Sequence, residues 1–196
     1  MASLLVGPIS AQAASASSFQ TLDIPSGWEC EMAPKGFLDI LGILNDVEYA
    51  QYSDRISTIS QAGIAQGSSL SSEDYSGVSW TMRQLAACAN SMDPLRVLPL
   101  LSDHLLATLI ANVEQVDEIG GALETLPIFA TETIDQGGVP VFGFSGAWYD
   151  ERTTKRIWAV IEVPVTSADV ESPNFLVSFI FDEYMWIIDS IWTIES

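Results

Sequence analysis

Apolar residues recur at helical spacing in the first two thirds of the chain and gather into short β-branched and aromatic runs in the last third. Phe37, Ile40, Leu41 and Leu44, within residues 36–47, predict a short amphipathic helix that Gly42 weakens. A longer stripe runs through Tyr75, Val78, Met82, Leu85, Ala86 and Ala89. Ser72 before Glu73 and Asp74 marks its start, because acids suit the positive end of a helix dipole. Asn90 reads as its left-handed terminator. Asp93 then caps a new piece with Pro94 at the first helical position, where a missing N–H costs nothing. Pro99 sits poorly inside a helix, so "PLRVL" is short, and Ser102 and Asp103 open a further helix, "HLLATLIANV".

The period changes after residue 126. "PIFATETID", "VPVFGFSGAWY", "KRIWAVIEVPV", "NFLVSFIF" and "YMWIIDSIWTIE" are rich in Val, Ile, Phe, Trp and Thr, and turn signals separate them. This predicts antiparallel strands, with a tight hairpin joining the last two. Helices followed by a strand meander give an α+β class, with N-terminal helices packed on one face of an antiparallel sheet. Residues 1–20 read as a signal-peptide remnant or a disordered tail. Residues 21–70 read as an extended lead-in, a short helix and a flexible Gly/Ser-rich connector, and residues 71–196 as the α+β domain.

Two stretches carry a family resemblance. "TMRQLAACANSMDPLRVLPLLSDHLLATL" (81–109) and "FLVSFIFDEYMWIIDSIWTIE" (175–195), the latter with its Trp-apolar-apolar-Asp segment, resemble the helical half and the closing hairpin of the nuclear transport factor 2-like superfamily, in particular an exported bacterial branch. That superfamily includes SnoaL-type cyclases and ketosteroid isomerases. The resemblance implies a strongly curved, cone-shaped sheet around a cavity. For isomerase-like members it implies a carboxylate acid or base and a Tyr or Asp oxyanion donor inside the cone, with Tyr75, Tyr149, Asp150, Glu162, Tyr184 and Asp189 as possible lining groups. No position matches a catalytic motif, and fold membership alone names no reaction.

Charge and cysteines narrow the setting. The formal net charge is −19, because basic residues are scarce. Such a surface repels phosphate backbones and anionic headgroups, which excludes nucleic-acid and anionic-membrane partners. No run reaches the roughly 18 apolar residues of a membrane span. "LLVGPI" with the small-x-small tripeptides "AQA" and "ASA" reads as part of a secretory leader, or as an Ala/Ser tail. The two cysteines, Cys30 and Cys88, are too far apart for CxxC redox or zinc patterns. Cys88 lies just off the helix stripe. The two either pair in an oxidising compartment or remain buried thiols.

Candidate chemistry is sparse. His104, the single histidine, lies in the first turn of a helix with no nucleophile beside it and reads as a surface or pocket-rim residue. Glu114, Asp117 and Glu118 read as a solvated acidic helix end, and no metal site or cofactor is implied. "GGVPVFGFSG" lacks the lysine and context of a phosphate loop, and no GxSxG elbow occurs. Trp148, Trp158, Trp186 and Trp192 fall on strands, where they line an apolar pocket, fill the core or form a subunit interface. Glu162 faces either solvent or pocket, and Asp189 reads as a turn or capping residue. The pocket candidates are therefore Tyr75, Trp148, Tyr149, Trp158, Glu162, Trp186 and Asp189. The expected function is a secreted, non-catalytic module that binds a small apolar molecule or a partner, with a homodimer formed through the sheet as one arrangement. The alternatives are a SnoaL-like isomerase, cyclase or hydratase using a buried carboxylate, and a structural accessory domain whose cavity is filled by its own side chains.

Overall fold

The computed structural model of the protein describes residues 23–45, 56–60, 67–110, 118–129, 138–163 and 174–195. Residues 1–22, Glu114, Asp117, most of the stretch read as a connector and most of "PIFATETID" lie outside them. Among the described residues, four helices, α1 (Phe37–Asn45), α2 (Ser72–Ala89), α3 (Asp103–Ile110) and α4 (Ile119–Glu124), accompany five strands. The strands are β1 (Ile56–Ser60), β2 (Gly143–Asp150), β3 (Thr153–Glu162), β4 (Asn174–Asp182) and β5 (Met185–Glu195). β2 to β5 form the expected antiparallel meander, so the α+β class holds. The sheet order is β1-β5-β4-β3-β2, an open sheet with β1 and β2 at its edges.

β1 departs from the sequence reading. It lies within the stretch read as a flexible connector and pairs parallel with β5, Ile56 opposite Ile191 and Ser60 opposite Glu195. Five residues of mixed Ile, Ser and Thr carry almost no local signal, and the partner strand lies at the far end of the chain. The segment is a strand because β5 offers it an open edge.

α2 begins one residue earlier than its acids suggest. Ser71, not Ser72, is the cap: it adopts an extended conformation and its Oγ accepts the Asp74 N–H at 3.1 Å. Val78, Met82, Leu85 and Ala86 have no exposed surface, as the stripe predicts, but Thr81, Gln84, Ala87 and Cys88 are buried too. α2 is thus enclosed on more than one side. Gly77 permits the closest approach, since a Cβ there would stand 2.7 Å from Cδ1 of Trp186. Asn90 is not a left-handed terminator, since its backbone is right-handed (φ −80°). Its side chain instead donates to the carbonyls of Pro25 and Val139 and accepts the Val139 N–H.

Beyond α2, Asp93 caps a 3₁₀ turn (Pro94–Arg96), and a second 3₁₀ turn (Leu98–Leu100) takes up Pro99. A 3₁₀ turn suits a chain whose prolines deny it α-type hydrogen bonds. Ser102 caps α3, its Oγ accepting the Leu105 N–H at 3.1 Å, and its own N–H donates to the Ile188 carbonyl at 2.7 Å. The edge of β5 facing away from β4 is therefore closed twice, by β1 and by the Leu101–Ser102 joint.

Alternation divides the sheet residues between two faces. Ile157, Ala159, Ile161, Phe175, Val177, Phe179, Trp186, Ile188 and Ile191 join α2 and α3 residues in one core. Trp148, Leu176 and Ile187 are buried outside that core, on the opposite face.

The lead-in joins the same core through Cys30, Ile40 and Ile43. Cys30 and Cys88 are disulfide-bonded, closing a sequence separation of 58 residues. Arg96 donates to the carbonyls of Cys30 and Met32, Gln84 to that of Glu29, and Arg83 holds Asp23 and Glu29 at 2.7 Å each. A loop of that length removes about 4 kcal/mol of unfolded-state entropy in the chain-entropy account. Replacing both cysteines with alanine is therefore expected to lower unfolding free energy by about 3–4 kcal/mol, read from urea transitions of oxidised wild type and variant. A loss below about 1 kcal/mol would contradict the tether.

Candidate functional site

The sequence candidates fall into two polar clusters on opposite faces of the sheet, with Glu162 exposed at the end of β3. The first cluster sits at the start of α2. Asp74, in the first turn, accepts hydrogen bonds from the Tyr149 hydroxyl, from Ser71 Oγ at 2.7 Å and from Trp186 Nε1 at 3.2 Å. Tyr149 Oη in turn accepts the Ser71 N–H at 3.0 Å. One carboxylate thus ties the N-terminus of α2 to β2 and β5. Tyr75 lies next door, its ring 5.7 Å from that of Phe144 and half exposed. The Tyr149 hydroxyl beside Asp74 holds this carboxyl below the usual carboxylate range, and the Ser71 and Trp186 donors add to the effect against partial burial.

The second cluster is centred on Asp189, which has no exposed surface. Ser178 pairs with Ser190 but Phe179 with Ile188, so Asp189 is the extra residue of a β-bulge. A bulge re-aims a side chain that strict alternation would place elsewhere. Asp189 Oδ2 receives Arg156 Nη2 at 2.9 Å, and Oδ1 receives the Ser102 hydroxyl at 2.9 Å. His104 Nδ1 stands 3.8 Å from the same Oδ1. The turn-or-cap reading of Asp189 is therefore replaced by a buried hub. His104, read as incidental, lies against it because Ser102, two residues earlier, is fastened to β5.

Beside this hub runs the aromatic pair. Trp158 and Trp192 pack with centroids 5.0 Å apart and ring planes tilted by 35°, and the Arg156 guanidinium lies 5.9 Å from the Trp158 ring centroid. Trp158 Nε1 donates to Asp150 Oδ2 at 3.2 Å. The backbone N–H of Arg152, then Trp158, lowers the Asp150 pKa. The register sets Trp158 opposite Ser178, and Ser178 opposite Ser190. These two serines are buried and joined hydroxyl to hydroxyl at 2.6 Å. Small side chains at 178 and 190 leave room for the indoles to meet across β4. Trp148 shares this face opposite Trp158, whereas Trp186 and Tyr149 face α2.

The pocket candidates thus do not converge on a single spot. Tyr75, Tyr149 and Trp186 gather at the α2 end, and Trp148, Trp158 and Asp189 lie on the second face. The sequence reading overlooked Arg156 and Ser102. Arg156 has a faint signal, since it alternates with Trp158 in "RIW" and so shares its face. Ser102 has none, because its cap role accounts for it fully. Among the described residues no group of three or more His, Cys, Asp or Glu is placed to hold a metal ion, and no helix is long and apolar enough to cross a membrane. Searched against family models, curated proteins and solved structures, the chain matches none of them.

Two outcomes test these clusters. Asp74 has a depressed native pKa, so its contribution to stability is complete above its unfolded value of about pH 4 and is lost as pH falls through the native pKa. Tyr149→Phe removes the leading cause; it is expected to cost about 1–2 kcal/mol at pH 7 and less at pH 3, measured by urea unfolding at both. Arg156→Gln strands a buried carboxylate and is expected to cost about 3 kcal/mol, whereas the Arg156→Gln/Asp189→Asn pair recovers most of it. Equal losses in the single and double variants would contradict the hub.

Proposed function

We propose that the protein is an extracytoplasmic binding module of the cone-shaped, nuclear transport factor 2-like type, which takes a small apolar or aromatic molecule without transforming it. The supporting observation is a division among side chains. Asp74 and Asp189 are engaged by donors within the chain, while Trp158 and Trp192 form a half-buried, tilted pair on the second face. A carboxylate that exchanges protons at neutral pH needs a pKa raised toward the working pH. Asp74 moves the other way. An indole pair, by contrast, offers a large apolar contact at little rotamer cost. The disulfide suits an oxidising compartment, and the order of helices before meander supports the family likeness. A second reading, pairing of two copies sheet to sheet, draws on the same two indoles.

The neutral probe 2-naphthamide, titrated into the protein, is expected to quench tryptophan fluorescence saturably. Trp192→Ala is expected to weaken its binding roughly 3- to 10-fold, the worth of one aromatic pair. An unsaturable signal together with a concentration-dependent dimer in sedimentation would replace the ligand reading with the pairing one.

A further inference from the structure

Arg156 uses little of its donor capacity. It carries five N–H donors, yet only Nη2 is engaged by Asp189; Nε and Nη1 donate to no other described residue, and the side chain is 28% exposed. The guanidinium is also held still, by a carboxylate with 1% side-chain exposure behind it and by the Trp158 ring 5.9 Å away. A fixed, half-used guanidinium beside a tilted indole pair is a pre-organised receptor for a flat anion, because Arg presents a planar fork that matches a carboxylate.

From this geometry we propose that Arg156, Trp158 and Trp192 form a binding site for an aromatic monocarboxylate. The aromatic body lies against the indole pair, and the carboxylate reaches the outward donors of Arg156. Asp189 acts as a positioning residue, since its bond to Nη2 sets which edge of the guanidinium faces outward. Asp150 sets the charge limit. It sits at the Trp158 N–H, its pKa is lowered by the Arg152 backbone N–H, by Trp158 and by the charge of Arg156, and its negative charge opposes a second negative group at that end of the ring. A surface of net charge −19 disfavours anions at long range. Screening over about 8 Å at physiological ionic strength leaves short contacts to decide. The site is the second-face surface of the binding reading and rests on that reading; its new content is the charge and shape of the ligand.

The test compares 2-naphthoate with its neutral counterpart 2-naphthamide, and with 2,6-naphthalenedicarboxylate, by calorimetric titration of the full chain. 2-Naphthoate is expected to bind at least tenfold more tightly than either. Arg156→Lys, which keeps the charge but loses the fork, is expected to reduce that preference, and Arg156→Gln/Asp189→Asn, which keeps the buried pair neutral, to abolish it. Equal affinity for naphthoate and naphthamide overturns the anion assignment and leaves the binding reading standing. The same holds if the preference persists in the double variant. Tighter binding of the dicarboxylate overturns the single-charge limit, and binding of none of the three overturns both readings.

Discussion

Fastening of α2 at both ends is the constraint on which the rest of the molecule depends. At its start, Asp74 gathers Tyr149 from β2 and Trp186 from β5. At its end, the Cys30–Cys88 bond and the Asn90 amide gather the lead-in and the entry to β2. Between them, Gly77 lets the helix settle against Trp186, and Thr81 donates to the Trp186 carbonyl at 2.5 Å. A helix pinned in this way fixes where the 3₁₀ turns begin and hence where Ser102 meets β5. The position of His104 beside Asp189 follows from that meeting.

The two carboxylate hubs show different ways of keeping an acid inside a fold. Asp74 remains near water and is stabilised by hydroxyl and indole donors, which favour its charged form. Asp189 is fully enclosed and needs a countercharge, which Arg156 supplies from the neighbouring strand but one. A buried ion pair of this kind adds little net stability over an apolar substitute, though it is costly to break. It sits at a bulge, beside a tilted pair of indoles.

Elements with strong local periodicity were legible in the sequence. The α2 stripe, the Asp93–Pro94 start and the last four of the five expected strand runs follow from spacing and turn residues. β1 was not, because "ISTIS" has no pattern of its own and owes its conformation to a strand far along the chain. Asn90 misled because its usual role at helix ends is local, whereas here its amide bridges two distant carbonyls. The site was legible only in parts. Trp158, Trp192 and Asp189 stood out by residue type, but a bulge shifts Asp189 out of alternation, and no sequence rule announces a bulge between two serines and two apolar residues. Arg156 was not singled out in the sequence, because its role is defined only by a carboxylate on another strand.

The parallel pairing of β1 with β5 also bears on how the chain assembles. β2 to β5 can zip together as successive hairpins, each from neighbouring sequence, but β1 has nothing to pair with until β5 exists. During synthesis from the N-terminus, Ile56 waits for Ile191, so the sheet gains this edge only after residues 191–195 have emerged. Once β5 has formed, the part of its rim that the Leu101–Ser102 joint does not cover is a backbone ledge, open to any strand that reaches it first, until β1 docks along Ile191–Glu195.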